Sequence, residues 1–177
     1  MIQCVFATQL VAASPMLLAA ADTIWRFLGE TGSVLSLGMA GLGSAIGIGI
    51  AGQAAAGAWA KEARAGRNLS FTYIILVGMP ISQTLYAMIV MVNMREVFNN
   101  AEVAVADAGL LMGVGIATGL AEMLSAWMQG MVGAAGIRAL SDGEGKGLAF
   151  IIIAMGIVET VGIFAMVFLL GMIPSME

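Results

Sequence analysis

GIVETVGIFAMVFLLGM, residues 156–172, holds a single carboxylate, Glu159, in a run that is otherwise almost wholly apolar. A charged side chain at bilayer depth costs roughly 3 kcal/mol on insertion scales, so an acid kept there is a candidate functional residue by default. The composition places the run in lipid. The 177 residues are 60% hydrophobic and 10% charged, with a mean hydropathy of +1.00. Soluble domains carry about 25% charged residues. Such a chain cannot cover a water-facing surface and reads as an all-α membrane protein. With no histidine and one cysteine, Cys4, it has no His-based catalysis or ligation, no internal disulfide and no thiolate metal site. A net charge of −4 without a basic run points away from nucleic acid.

Upstream of Glu159 the chain divides into apolar segments separated by polar connections. Residues 2–21 are uncharged. They read as a removed leader, a fifth span or an interfacial helix continuing through Trp25, Arg26 and Phe27; a basic n-region is missing. Asp22, Arg26 and Glu30 mark a wet boundary, so residues 1–31 form a leader or peripheral segment. The first span runs from about Gly32 to Ala63. Gly43 and Gly47 are four apart, as are Ala51 and Ala55, a small-xxx-small ridge that admits another backbone. Ordinary helix pairing would explain the ridge. Gly41, Gly49, Gly52 and Gly57 go further, leaving more than one face bare, as the crowded interior of a ring requires. The polar connection 61–68 follows. The second span covers about Ser70 to Met94 with Pro80 inside it, and completes a first hairpin over 32–97.

Arg95, Glu96, Asn99, Asn100, Glu102 and Asp107 form the next wet segment. The third span, about Ala108 to Leu140, repeats the glycine pattern and carries Glu122 and Gln129. After a polar connection, Arg138 to Lys146, the fourth span covers about Gly147 to Ile173. The second hairpin is therefore 103–173. AAAG at 54–57 answers GAAG at 133–136, and Gln83 answers Glu159. The chain is a tandem of two parallel hairpins, unlike the inverted repeats of many transporters. The first and third connections hold Lys61, Arg64, Arg67, Arg138 and Lys146, against Arg26 and Arg95 on the other side. The positive-inside rule then puts both hairpin loops in the cytoplasm and both termini outside.

Depth singles out a site. Glu159 and Gln129 each lie about a dozen residues from the loop ends of their helices, and Gln83 about fourteen, so at 1.5 Å per residue the three share one level. Pro80 removes a backbone donor one turn away, and a carbonyl freed in lipid needs a partner, which a bound cation can be. Ser82 and Tyr86, four apart, share a face. The cluster can serve as polar glue between helices. Its convergence from three helices fits a cation site better, because carboxylate, amide, hydroxyl and backbone oxygens suit a hard cation. One carboxylate balances one monovalent ion, and the neutral pair can pass through lipid. The number of oxygens leans toward Na+ over H+.

The paired hairpins, glycine-rich first and third helices and single glutamate at lipid depth resemble the rotor-ring proteolipid of V-type ATPases, the K or c component of their membrane sector. The likeness spans about Gly32 to Ile173, and its most specific pieces are PISQTLYA (80–87), MQGMVGAAGI (128–137) and IVETVGI (157–163). Sodium-transporting members carry P-x-T-Q-x-L-Y, a third-helix glutamine and a V-E-T glutamate. On this chain the resemblance implies Na+ held by Glu159, Gln129, Gln83, the Ser82 hydroxyl and the Met79 carbonyl freed by Pro80. Tyr86 would hydrogen-bond Glu159. Ser82 departs from the family's threonine but keeps the hydroxyl. It further implies a homo-oligomeric ring, a stator membrane subunit with an arginine near Glu159, and a central-stalk subunit on the cytoplasmic loops. The chain itself would be non-catalytic, without a cofactor beyond the transported ion, in a bacterial inner membrane. A proton-coupled ring is the alternative; a small four-span cation exporter is another, disfavoured by the few aromatics and many glycines. Glu122 has no counterpart in this pattern and reads as a carboxyl facing the ring lumen, one protonated against a neighbour, or an outer relay group.

Overall fold

The computed structural model describes residues 2–99 and 105–175, with side chains described from Pro15 onward. Asn100, Glu102 and the expected start of the second hairpin at 103 lie outside the described residues, as do the side chains of residues 1–14. Among the described residues the chain is helical throughout, broken only by turns. Helix α1 spans Ile2–Arg64 and α2 spans Tyr73–Gly78. A 3-10 turn, Met79–Ile81, leads into α3, Ser82–Val97. Helix α4 spans Ala108–Asp142 and α5 spans Leu148–Leu170. Among the described residues, four stretches are long and apolar enough to cross a membrane: Pro15–Arg64, Tyr73–Val97, Ala108–Asp142 and Leu148–Leu170.

The expected spans are present, with three differences at their edges. Helix α1 is unbroken at the expected boundary near Gly32. Arg26 and Glu30, read as a wet boundary, instead form an ion pair at 2.9 Å one turn apart on the helix. Arg26 also donates to the Phe98 carbonyl at 3.1 Å, a cation on the exposed carbonyls that end α3. Arg138, Ser141 and Asp142, expected in the second polar connection, belong to the last turns of α4. The turn proper is shorter, with Gly145 and Gly147 at φ +86° and +92°, where a side chain would be strained. Helix α1 stops at Gly66, whose φ of +68° lets Arg67 N–H reach the Glu62 carbonyl at 2.9 Å and Gly66 N–H the Ala63 carbonyl at 3.1 Å. That pair of bonds is the Schellman stop signal.

Helices α1 and α4 pack against each other more extensively than any other pair. The glycine ridges explain how. A Cβ added at Gly43 would run into the Met123 backbone, one at Gly47 into the Ala126 carbonyl, and one at Gly130 into Gly47 itself. The two backbones therefore touch, which maximises dispersion contact where lipid offers no hydrophobic drive. Gly38, Gly41 and Gly49 lie elsewhere on α1 and meet nothing within 4 Å. Helices α3 and α5 lie outside the α1–α4 pair. Along α5, Phe150, Ile153, Ile157, Val161, Phe164 and Phe168 are exposed at three- and four-residue spacing, an apolar stripe suited to lipid.

The loop ends are tied across the repeat. Lys61 pairs with Asp142, and Arg67 donates to the Ser141 carbonyl at 3.2 Å. Buried Glu62 accepts from the Tyr73 hydroxyl and, at 3.0 Å, from Ser70 N–H. Trp59 donates its ring N–H to the Ser70 carbonyl at 2.7 Å.

Candidate ion-binding site

Glu159 sits half-buried on α5, where α3 and α4 both reach it. The Tyr86 hydroxyl, from α3, donates to Glu159 Oε1 at 2.8 Å. The Gln129 amide, from α4, donates to Glu159 Oε2 at 3.3 Å and to the Met155 carbonyl at 3.3 Å. Each carboxylate oxygen thus has a neutral donor from a different helix. Gln129 is fully buried and its Oε1 has no hydrogen-bond partner, so an acceptor stands free beside the carboxylate. An orphaned buried acceptor costs about 1–3 kcal/mol unless a donor or a cation fills it.

The second half of the cluster lies alongside. The Ser82 hydroxyl is within 3.0 Å of the Met79 carbonyl and 3.2 Å of Gln83 Oε1. Gln83, also fully buried, donates through Nε2 to Ser125 Oγ at 3.3 Å. Ser125 in turn donates to the Val158 carbonyl at 3.1 Å, next to Glu159. Two hydrogen-bonded groups, Ser82–Gln83–Ser125 and Tyr86–Glu159–Gln129, thus each tie α3 through α4 to neighbouring residues of α5. A carboxylate with amide and hydroxyl oxygens near it is chemistry that suits a hard cation.

Two points depart from the sequence reading, and Glu122 gains a definite place. The Met79 carbonyl is not left free by Pro80. It accepts the Ser82 N–H in the 3-10 turn as well as the Ser82 hydroxyl. Proline deprives a carbonyl on its own N-terminal side, and Met79 precedes it by one residue only. Ser125 is a member of the cluster that the sequence reading lacks. It lies four residues before Gln129 on the same helical face, and that spacing is the available signal. Glu122, read as a carboxyl facing the ring lumen, one protonated against a neighbour or an outer relay group, is fully buried within the chain, and a Cβ at Gly162 of α5 would stand 2.5 Å from its Oε2.

Comparison with known proteins places this geometry. The profile of the ATP synthase C subunit matches residues 31–94 and, a second time, residues 112–172. The chain belongs to the ATP synthase C-subunit family. Its two matched stretches are the two hairpins, with the Pro80 turn and Tyr86 in the first and Gln129 and Glu159 in the second. A relative named A-type ATP synthase subunit K, from Methanocaldococcus jannaschii, is 35% identical over 126 residues. That alignment covers 70% of this chain and 53% of the relative, so the chain spans about half the length of the protein it matches.

Proposed function

We propose that this member of the C-subunit family is a non-catalytic rotor-ring component of an ATP-driven or ATP-synthesising membrane complex, and that it carries Na+ by reversible binding at Glu159. The observation that carries the reading is the pair of neutral donors, Tyr86 and Gln129, that converge from two helices on the half-buried Glu159 carboxylate. They orient the carboxylate without neutralising it, which leaves its charge for a cation. Gln129 Oε1, Gln83 Oε1 and the Ser82 hydroxyl are the further oxygens this reading assigns to the ion. Once occupied, the site has no net charge and can turn through lipid; emptied, it needs a cation from outside the chain. A stator arginine meets that need. Each ion carried through the field is worth about 2.3 kcal/mol per 100 mV.

Ring assembly follows from the faces the protein leaves bare. Gly38, Gly41 and Gly49 have nothing against them among the described residues, and a neighbouring copy can approach there as closely as α4 approaches Gly47. The hairpin loops, with most of the basic residues, face the cytoplasm and dock a central-stalk subunit, while both termini lie outside a bacterial cell membrane. Residues 32–97 and 103–173 act as the two hairpins, and 1–31 as a peripheral leader. Proton coupling is the second reading, and the Met79 carbonyl favours it: two donors from Ser82 already occupy that oxygen.

The test is sodium binding to the purified assembly. A ring is expected by native mass spectrometry, with one sodium ion bound per protomer and none in Glu159→Gln. A monomer in mild detergent contradicts the rotor reading. Sodium binding that survives Glu159→Gln contradicts the site.

A further inference from the structure

The chain holds two acids at membrane depth and no base. Of the seven basic residues, Lys61, Arg64, Arg67, Arg95, Arg138 and Lys146 lie in loops or the last turns of helices, and Arg26 sits within α1 against the carbonyl of Phe98 at the end of α3. No basic residue occurs in 31–60, 69–94, 108–137 or 147–173. Glu159 and Glu122 are the acids within those stretches. One monovalent cation balances one of them.

Glu122 is the more enclosed of the two. It is fully buried on α4, against the bare backbone of Gly162 on α5, one turn beyond Glu159. Among the described residues neither carboxyl oxygen has a hydrogen-bond partner, and neither does the hydroxyl of fully buried Thr118, one turn away on the same face. The other buried carboxyl among the described residues, Glu62, is partnered by Tyr73 and Ser70. An ionised Glu122 would leave all its acceptor sites unfilled in a low-dielectric interior, the costliest state for a carboxyl. The titratable groups whose fields reach it are Glu159 from α5 and Tyr86 from α3, and neither is cationic. From α1, residues 31–60 present no charge at all.

We propose that Glu122 is a second ion site of the protein, binding a resident proton while Glu159 holds the exchangeable cation. The proposal rests on the reading of Glu159 as the cation carrier for its account of charge balance. The resident proton keeps the occupied protomer neutral, as passage through lipid requires. Loss of that proton would place two negative charges in adjoining turns.

Infrared spectroscopy separates the two sites, because a protonated carboxyl has a C=O stretch that a carboxylate lacks. In Glu159→Gln protein at neutral pH with sodium present, a protonated-carboxyl band is expected, unchanged when sodium is removed. It should vanish in the Glu122→Gln/Glu159→Gln double variant. No such band in Glu159→Gln overturns the proposal. So does a band that appears only on removing sodium, which would show a metal cation at Glu122. Should the double variant fail to assemble, Glu122→Gln alone, saturated with sodium, should lack the band that the unmodified protein shows; a band that persists there also overturns the proposal. Sodium binding by Glu122→Gln protein, which still has Glu159, reports separately on the first site.

Discussion

Removing the Tyr86 hydroxyl is the sharpest perturbation of the site. Tyr86→Phe keeps the ring and its packing and deletes one bond, the 2.8 Å donation to Glu159 Oε1. Hydrogen bonds to charged groups contribute about 1.5–3 kcal/mol. Every 1.4 kcal/mol is tenfold in an equilibrium constant, so sodium should bind about 10- to 150-fold more weakly. The bond orients the carboxylate toward the remaining oxygens, so the loss should fall on affinity and leave stoichiometry intact. Equilibrium binding of radioactive sodium to the detergent-purified assembly reads both quantities. A dissociation constant within about threefold of the unmodified protein refutes the reasoning, since less than about 0.7 kcal/mol would then be at stake.

Other perturbations test other parts of the account. Gly130→Ala puts a Cβ into the Gly47 backbone, and overpacking of this kind costs about 1–3 kcal/mol; the thermal midpoint should fall, and an unchanged midpoint would mean that α1 and α4 do not touch. Gln83→Glu adds an acid at a fully buried position beside the site and should disrupt sodium binding at Glu159; retained affinity would show that Gln83 is not a ligand. Tyr73→Phe withdraws a donor from buried Glu62 and should destabilise the loop end by about 1–3 kcal/mol, measured as a lower thermal midpoint with sodium affinity unchanged.

Much of the fold is legible because lipid punishes polar groups, and so makes each one informative. Glu159 stands out as one acid in an apolar run. Helical rise alone puts Gln129 and Gln83 at its depth, and four-residue spacing puts Tyr86 beside Ser82. The glycine spacing at Gly43 and Gly47 foretells a backbone contact, though not that its partner is α4, because one helix face does not name its mate. Ser125 escapes notice since a serine in a glycine- and alanine-rich helix carries no charge to mark it. The unbroken α1 is hidden by a true signal read locally. Asp22, Arg26 and Glu30 are wet residues, yet Arg26 and Glu30 pair along the helix and Arg26 caps α3. Glu122 cannot be placed from its own helix, because its burial depends on α5 offering Gly162 at that level.

The most direct measurement is carbodiimide labelling of the intact assembly, read by peptide mass spectrometry. Carbodiimides modify carboxyls at membrane depth that can take up a proton, and a sodium ion bound at half-buried Glu159 would compete with that proton. The account predicts that Glu159 is labelled in sodium-free buffer and progressively protected as sodium is added. Labelling of Glu159 at a rate indifferent to sodium, at every pH tested, would contradict it.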